Sequence, residues 1–452
     1  MTRLALSMIV RDAAATLRDC LETVRGIADE VVLADTGSTD NTIAIAKQFG
    51  ARVIAIPWTS DFAAARNRAL AEIRANWILV LDADELLDRD SSRTIRALLD
   101  DSSVAGYQVT IRNYVLSLEE RVWDRPAVPN DSPIPEARPY PAYIEHENVR
   151  LFRRNPEVRF VGRVHESVGP RLQQLGLTIA PAPFFIHHFG LAACPEIRER
   201  KNRFYRELGL QKIRELPEDA QAHFELGIVE MDNFGNLAEA QKLFERACNL
   251  KPRFGVAWFF LGIVLNRREN FAEALKALAQ AERQGHRTAL VAEAQGDAHY
   301  NSGRFNEAAR AYKAALQREL TTPQFESKLG LALLRSGQTA PGLRYLRHAS
   351  ELRPSAPDLH DRYIVALVWL DKIEDAAIAA ETKLVAIQNP TASDFLRAAS
   401  LWAKRKNWPR ASFILQAGLH VHPLHPSLQR ALESLPQPAS ATPAATVLET
   451  TT

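Results

Sequence analysis

Short, wholly apolar runs alternate with amphipathic ones through the first eighty residues. Leu4–Val10, Glu30–Ala34, Arg52–Ile56 and Trp77–Leu81 read as strands. Ala13–Val24, with Leu17, Leu21 and Val24 at helical spacing, reads as a helix, as do Asp40–Phe49, closed by Gly50, and Phe62–Arg74. Strands that are apolar throughout, separated by amphipathic helices, predict a parallel sheet covered on both faces. This is a doubly wound α/β domain, whose ligands lie at the carboxyl ends of its strands. Two of those ends are acidic: Val31-Val-Leu-Ala-Asp35 and Ile78-Leu-Val-Leu-Asp82-Ala-Asp84-Glu85. From Val104 to about His188 the pattern is mixed. Six prolines between 124 and 141 predict a loop over the site or a poorly ordered insert there.

The second half changes period. Gly262, Gly296 and Gly330 recur every 34 residues, as do Leu278, Tyr312 and Leu346, and Ala281, Ala315 and Ala349. With Trp258-x-x-Leu261-Gly262 followed by Ala274-x-x-x-Leu278, this is the tetratricopeptide pattern, in which small residues let paired helices approach. The first copy, from Phe224-Glu-Leu226-Gly227 to Pro252, carries one extra residue, and copies after Pro354 are degenerate. About six repeats are expected between Ala220 and His425. The predicted division is residues 1–200 for the α/β domain, 201–219 for a linker helix, 220–430 for an all-α repeat superhelix, and 431–452 for a disordered Pro/Ala/Ser/Thr tail.

Composition narrows the function. The chain of 452 residues has 56 basic and 54 acidic side chains, a net charge of +2. Nothing in that balance asks for nucleic acid. Three separated cysteines, Cys20, Cys194 and Cys248, fit reduced thiols without metal-type spacing. The apolar run at the N-terminus is short for a signal peptide, and no stretch reaches the roughly 20 apolar residues of a membrane span. The expected location is cytoplasmic, at most peripheral to the inner membrane.

The acidic strand ends are the candidate chemistry. In Asp35-Thr-Gly-Ser-Thr-Asp40, helix capping accounts for Asp40 but not for Asp35 at the mouth of a buried strand, where an unpaired carboxylate is costly. Alternation along an extended chain would send Asp82 and Asp84 to one side, and like charges that close need a cation or a proton. A divalent ion that also holds a diphosphate meets that need, and a solvated acidic turn is the plain alternative. Trp58 and Trp77 could stack on a sugar or fill a core.

Taken in order, Ser7-Met-Ile-Val10, Val31–Asp40, Trp58-x-x-Asp61-Phe62-Ala63-x-x-Arg66-Asn67 and Trp77–Glu85 resemble the inverting family 2 glycosyltransferases of GT-A fold, a Rossmann-related α/β architecture, in the branch fused to tetratricopeptide repeats. The resemblance extends through Arg150-Leu-Phe-Arg153, Gly162-Arg-Val-His165-Glu166 and Ile186-His-His188-Phe-Gly190, with Arg11-Asp12-Ala13-Ala14 standing where the branch has Lys-Asn-Glu-Glu. It implies transfer of a sugar from a nucleotide-sugar donor, a UDP-sugar foremost, to a hydroxyl of a protein, peptide or glycan acceptor, with Mn²⁺ or Mg²⁺ as cofactor. By the same resemblance Asp35, Asp40, Arg66, Asn67 and Asp82 would contact the nucleotide-sugar. Asp84 and His188 would ligate the metal, with His187 competing for that role. Glu166 is the candidate catalytic base, with Asp61 and Glu85 as alternatives, and an ion pair from Glu166 to Arg150 or Arg153 as its structural reading. The repeats would bind the acceptor or a protein partner, and cell-envelope glycan assembly is the setting the resemblance suggests. The rival reading is a catalytically silent scaffold built on the repeats.

Overall fold

A computed structural model of the chain describes residues 2–88, 91–118, 120–122, 125–164, 166–190, 195–318 and 322–436. The chain divides into two compact units, Met1–Lys251 and Pro252–Thr452.

The first unit is built on β1 (Leu4–Val10), β2 (Glu30–Asp35), β3 (Arg52–Ala55) and β4 (Trp77–Val80), with α1 (Leu17–Thr23), α2 (Thr42–Gln48) and α3 (Phe62–Ala71) between them. These four strands are parallel, in the order β3-β2-β1-β4. Their apolar runs have a direct cause, because alternate residues feed two separate cores. Leu4, Leu6 and Met8 of β1, with Trp77 and Leu79 of β4, pack with Leu17 and Leu21 of α1. Ala5, Ile78 and Val80 pack on the opposite face with Ala65 and Ala69 of α3. A strand buried on both faces has no polar alternation to show.

Beyond β4 the sheet departs from the parallel expectation. β5 (Glu85–Leu87), α4 (Ser91–Leu98), β6 (Gly106–Val115), the short β7 (Arg121–Val122), β8 (Arg125–Pro126) and β9 (Val128–Pro129), β10 (Ala142–Arg153), α5 (Gly169–Gln174) and β11 (Ile179–His188) follow. The order continues β4-β10-β6-β11-β5. The β4–β10, β10–β6 and β11–β5 pairs are antiparallel, and β6–β11 is parallel. The domain is therefore a mixed α/β sheet. The proline-bearing segment from 125 to 141 is an ordered loop. Asn130 donates to the carbonyls of Ala137 and Tyr140, and Ala137 is buried with Tyr114 and Tyr143.

The unit is completed by α6 (Pro195–Glu215), α7 (Ala220–Ile228) and α8 (Leu237–Leu250). The extra residue of the first repeat has a place: Val229–Asn233 is a π-helical turn, which takes up one residue more than an α-turn. A side chain at Gly227 would collide with Phe244, seventeen positions on, whereas the matching spacing in later repeats is sixteen.

The described residues of the second unit form helices only: α9 (Gly255–Arg267), α10 (Phe271–Arg283), α11 (Ala289–Asn301), α12 (Phe305–Arg318), α13 (Pro323–Arg335), α14 (Thr339–Leu352), α15 (Pro357–Trp369), α16 (Ile373–Ala386), α17 (Ala392–Lys404), α18 (Trp408–Val421) and α19 (Pro426–Glu433). The periodic glycines act as the spacing predicts. Gly262 faces Leu278, Gly296 faces Tyr312 and Gly330 faces Leu346, each too close to admit a β-carbon. Residues 431–433, expected in the tail, close α19, and the tail from 437 onward lies outside the described residues. Cys20 and Cys248 are buried free thiols, and Cys194 is outside the described residues.

Candidate functional site

The site forms where β4 ends. Glu85 N–H donates to the Asp82 carbonyl at 3.1 Å, so a turn, not the alternation of an extended strand, presents Asp82, Asp84 and Glu85. A hydrogen-bonded chain of charges organises this turn. Arg66, buried on α3, donates from Nε to Glu166 Oε1 at 2.6 Å and from a terminal nitrogen to Asp82 Oδ1 at 2.7 Å. Arg150 of β10 donates to Glu85 Oε1 at 2.9 Å and lies 3.5 Å from Asp82 Oδ2. Burial works against charge on Asp82, but Arg66 and Arg150 outweigh it and hold its carboxyl well below the ordinary range. Burial likewise opposes the charge of Arg66, and Asp82 and Glu166 more than restore it. Glu85 is the contrary case, since burial, with Asp82 beside it, raises its pKa against the pull of Arg150.

This network gives the candidate bases their partners. The cation of Glu166 is Arg66, not Arg150 or Arg153. Arg153 instead lies over the Trp77 ring and donates to the carbonyls of Val104 and Asp101. Of the three candidate bases, Asp61 caps α3 through Ala64 N–H. Glu85 uses one oxygen on Arg150 and the other on Asp82 N–H. Glu166 binds Arg66 through Oε1, and no hydrogen bond to its Oε2 occurs among the described residues. His165 lies outside them.

Asp84 and His188 form the second focus. His188 Nε2 is 3.5 Å from Asp84 Oδ2. A β-carbon on Gly190 would lie 2.5 Å from that nitrogen and 2.6 Å from that oxygen, so the missing side chain leaves a cradle between imidazole and carboxylate. Among the described residues no group of three or more His, Cys, Asp or Glu side chains is arranged to hold an ion. One carboxylate oxygen and one imidazole nitrogen nonetheless fit a divalent cation whose other ligands are phosphate oxygens and water. Burial disfavours the His188 cation, yet Asp84 raises its pKa, and His188 in turn helps lower that of Asp84 against burial. His187 points the other way along β11. It bonds Tyr114 Oη at 2.8 Å and Asp88 at 3.1 Å inside the core, where burial lowers its pKa. Of the adjacent histidines, His188 is the one that meets Asp84.

The remaining predicted residues hold loops. Asp35, buried at the end of β2, accepts from Gly37 and Ser38 N–H, which is how its carboxylate survives there. Asp40 accepts from Thr42 N–H and from Ala14 N–H, fastening the loop after β2 to the loop after β1. Asp12 completes that clasp, with Ser38 Oγ accepting from its N–H and its carboxylate accepting from Thr39 N–H. Asn67 pairs its amide both ways with the backbone of Phe160, at 3.0 and 2.8 Å. Trp77 is core, whereas Trp58 is only partly buried.

Sequence reasoning read a linker helix over 201–219, where most of α6 lies, and gave its aromatic residues no part near the site. Phe204 packs on Trp58 and Phe62 with ring centroids at 6.0 and 6.4 Å, and Tyr205 stacks on Phe62 at 6.5 Å. Tyr205 is exposed along α6, yet local burial and the carboxylates Asp82, Glu166 and Asp84 push its phenol up to about 12. Glu215 anchors the far end of the helix on Arg163 at 2.7 Å. Aromatic residues beside Lys201 and Arg203 on a polar helix were the available signal.

A mixed α/β sheet with a buffered carboxylate cluster at its strand ends, followed by helical repeats, defines the class of molecule. Residues 7–159 match the family model described as Glycosyl transferase family 2, and residues 231–329 match that of a Tetratricopeptide repeat-like domain. The chain thus carries a family 2 glycosyltransferase domain at its N-terminus and tetratricopeptide-like repeats after it. A TPR repeat-containing protein of Synechococcus elongatus is 33% identical over 250 residues, covering 54% of this chain and 55% of that one. An uncharacterized glycosyltransferase of Rickettsia felis is 37% identical over 90 residues, 20% of this chain and 31% of that one. The prophage-derived glycosyltransferase SunS of Bacillus subtilis is 26% identical over 161 residues, 35% and 33% of the two chains. The chain therefore spans about half the length of the first relative and a third of the others. Among the described residues no helix is long and apolar enough to cross a membrane.

Proposed function

We propose that the N-terminal unit transfers a sugar, with inversion, from a nucleoside-diphosphate donor to a hydroxyl of a protein, peptide or glycan acceptor. The observation that carries this is the meeting of Asp84 and His188 across the Gly190 cradle, beside a Glu166 carboxylate held by Arg66. Asp84 and His188 would hold Mn²⁺ or Mg²⁺, which supplies positive charge for the departing diphosphate. Asp35 and the loop it ties sit where the nucleoside base is expected, and a UDP-sugar is the favoured donor. Asp82, fixed by Arg66 and Arg150, faces the ribose side. Glu166 takes the proton of the acceptor hydroxyl through Oε2 as the hydroxyl oxygen bonds to the anomeric carbon and the bond from that carbon to the diphosphate breaks. The repeats hold the acceptor or a protein partner, and the expected location is cytoplasmic.

The test is a screen of UDP-, GDP- and TDP-sugars with Mn²⁺, scored by release of nucleoside diphosphate. One donor slowly hydrolysed, with the activity lost in EDTA and in Asp84→Asn, is the expected result. No binding and no turnover across the panel would overturn the reading in favour of a silent scaffold.

A further inference from the structure

Asn113 lies in the middle of the sheet on β6, opposite Ile144 of β10 on one side and His188 of β11 on the other. It is buried, and its amide orientation follows from its neighbours. Nδ2 lies 3.0 Å from the carbonyl oxygen of Ile144, an atom that can only accept, so the nitrogen must be on that side. The same nitrogen meets His146 Nδ1 at 2.7 Å. Oδ1 is thereby turned to His188 Nδ1, 2.8 Å away. An amide oxygen also only accepts, so His188 Nδ1 must carry a hydrogen. In the neutral ring the lone pair is then on Nε2, the nitrogen that faces Asp84 across the Gly190 cradle. The backbone carbonyl of Ile144 thus decides, through one side chain, which nitrogen of His188 is free to bind.

We propose that Asn113 is a positioning residue that locks His188 in the Nδ1–H tautomer and aims its Nε2 into the cation site. This rests on the metal role of His188 in the function proposed above. A metal-binding histidine commonly donates its other N–H to a fixed acceptor, and loss of that acceptor typically costs 10–100-fold in metal affinity. The same amide also bonds two strands, so a purely structural role has to be separated from a positioning one.

The experiment titrates Mn²⁺ into the full chain with UDP present, followed by loss of the free-ion electron paramagnetic resonance signal. Asn113→Leu, which keeps the volume without the acceptor, should weaken Mn²⁺ binding by about 10–100-fold. Asn113→Asp, which keeps an oxygen for Nδ1–H, should stay within a few-fold of wild type. Alongside, ¹⁵N–¹H spectra of histidine-labelled wild-type protein, recorded without metal and above the pH at which the ring titrates, should show His188 as the Nδ1–H tautomer, assigned by its loss in His188→Ala. That measurement needs no Asn113 variant to fold. An Nε2–H tautomer in wild type, or Asn113→Leu binding Mn²⁺ as wild type does while His188→Ala does not, overturns the proposal. If His188→Ala binds as well as wild type, the metal reading itself has failed and the proposal with it.

Discussion

Arg66 Nε and Glu166 Oε1 lie 2.6 Å apart, and this bond gives the proposed base a fixed orientation with its second oxygen left for substrate. The two residues are a hundred positions apart, on α3 and on the loop before α5. The bond also implies an asymmetry between variants. Glu166→Gln keeps an acceptor for Arg66, so the fold should survive nearly unchanged while turnover falls about 10²–10⁴-fold. Arg66→Ala leaves Glu166 and Asp82 without their shared cation, and losing one partner of a buried ion pair costs about 3–5 kcal/mol. Thermal melting and donor hydrolysis measured together separate the two. Equal loss of stability in both variants would make Glu166 a structural residue.

Much of this was legible in the chain and some was not, for physical reasons. The parallel half of the sheet showed itself because β1 and β4 are buried on both faces and so are apolar throughout except at Ser7. The glycines at 34-residue spacing mark the helix contacts in the sequence itself, since each close approach excludes a β-carbon. The second half of the sheet was opaque. β6, β10 and β11 have exposed positions and register shifts, and their pairing joins residues far apart in sequence. The same distance hid the partner of Glu166 and the role of Asn113, because no local pattern links β6 to β11. The backbone partner of Asn67 was hidden for another reason: its place beside Arg66 in the motif says nothing about which way its amide turns on the helix.

Gly190 offers a sharp test of the cation site. The residue is not in the left-handed region, so alanine meets no backbone penalty there. Its β-carbon would nonetheless occupy the space between His188 Nε2 and Asp84 Oδ2. Gly190→Ala should therefore abolish Mn²⁺ binding in calorimetry, with some loss of melting temperature as the His188 ring, tied to Asn113, is displaced. Undiminished Mn²⁺ binding would place the ion elsewhere.

In the repeats, Gly296 of α11 stands where a β-carbon would come within 2.4 Å of the Tyr312 ring. The Tyr312 hydroxyl donates to Asp297 at 2.7 Å, so the ring cannot swing away without breaking a partly buried bond. Gly296→Ala should cost about 1–3 kcal/mol through overpacking, outweighing the gain in helix propensity. Denaturant unfolding followed by circular dichroism measures it. A stabilised variant would mean that α11 and α12 can slide apart freely.

Asp82 makes stability depend on pH in a direction that follows from its partners. Arg66 and Arg150 depress its carboxyl in the folded state, so on acidification the unfolded chain takes up this proton first, near the ordinary value of about 3.9. Its contribution is therefore fully present above that value and is lost as pH falls toward the lower folded one. Asp82→Asn should be less stable than wild type at neutral pH, with a shallower decline below about pH 4, so that the two curves converge in acid. Scanning calorimetry of both proteins between neutral and acid pH tests this. Curves that run parallel throughout would show that Asp82 holds its place by packing and hydrogen bonding alone, and that its charge contributes nothing to the clasp between Arg66 and Arg150.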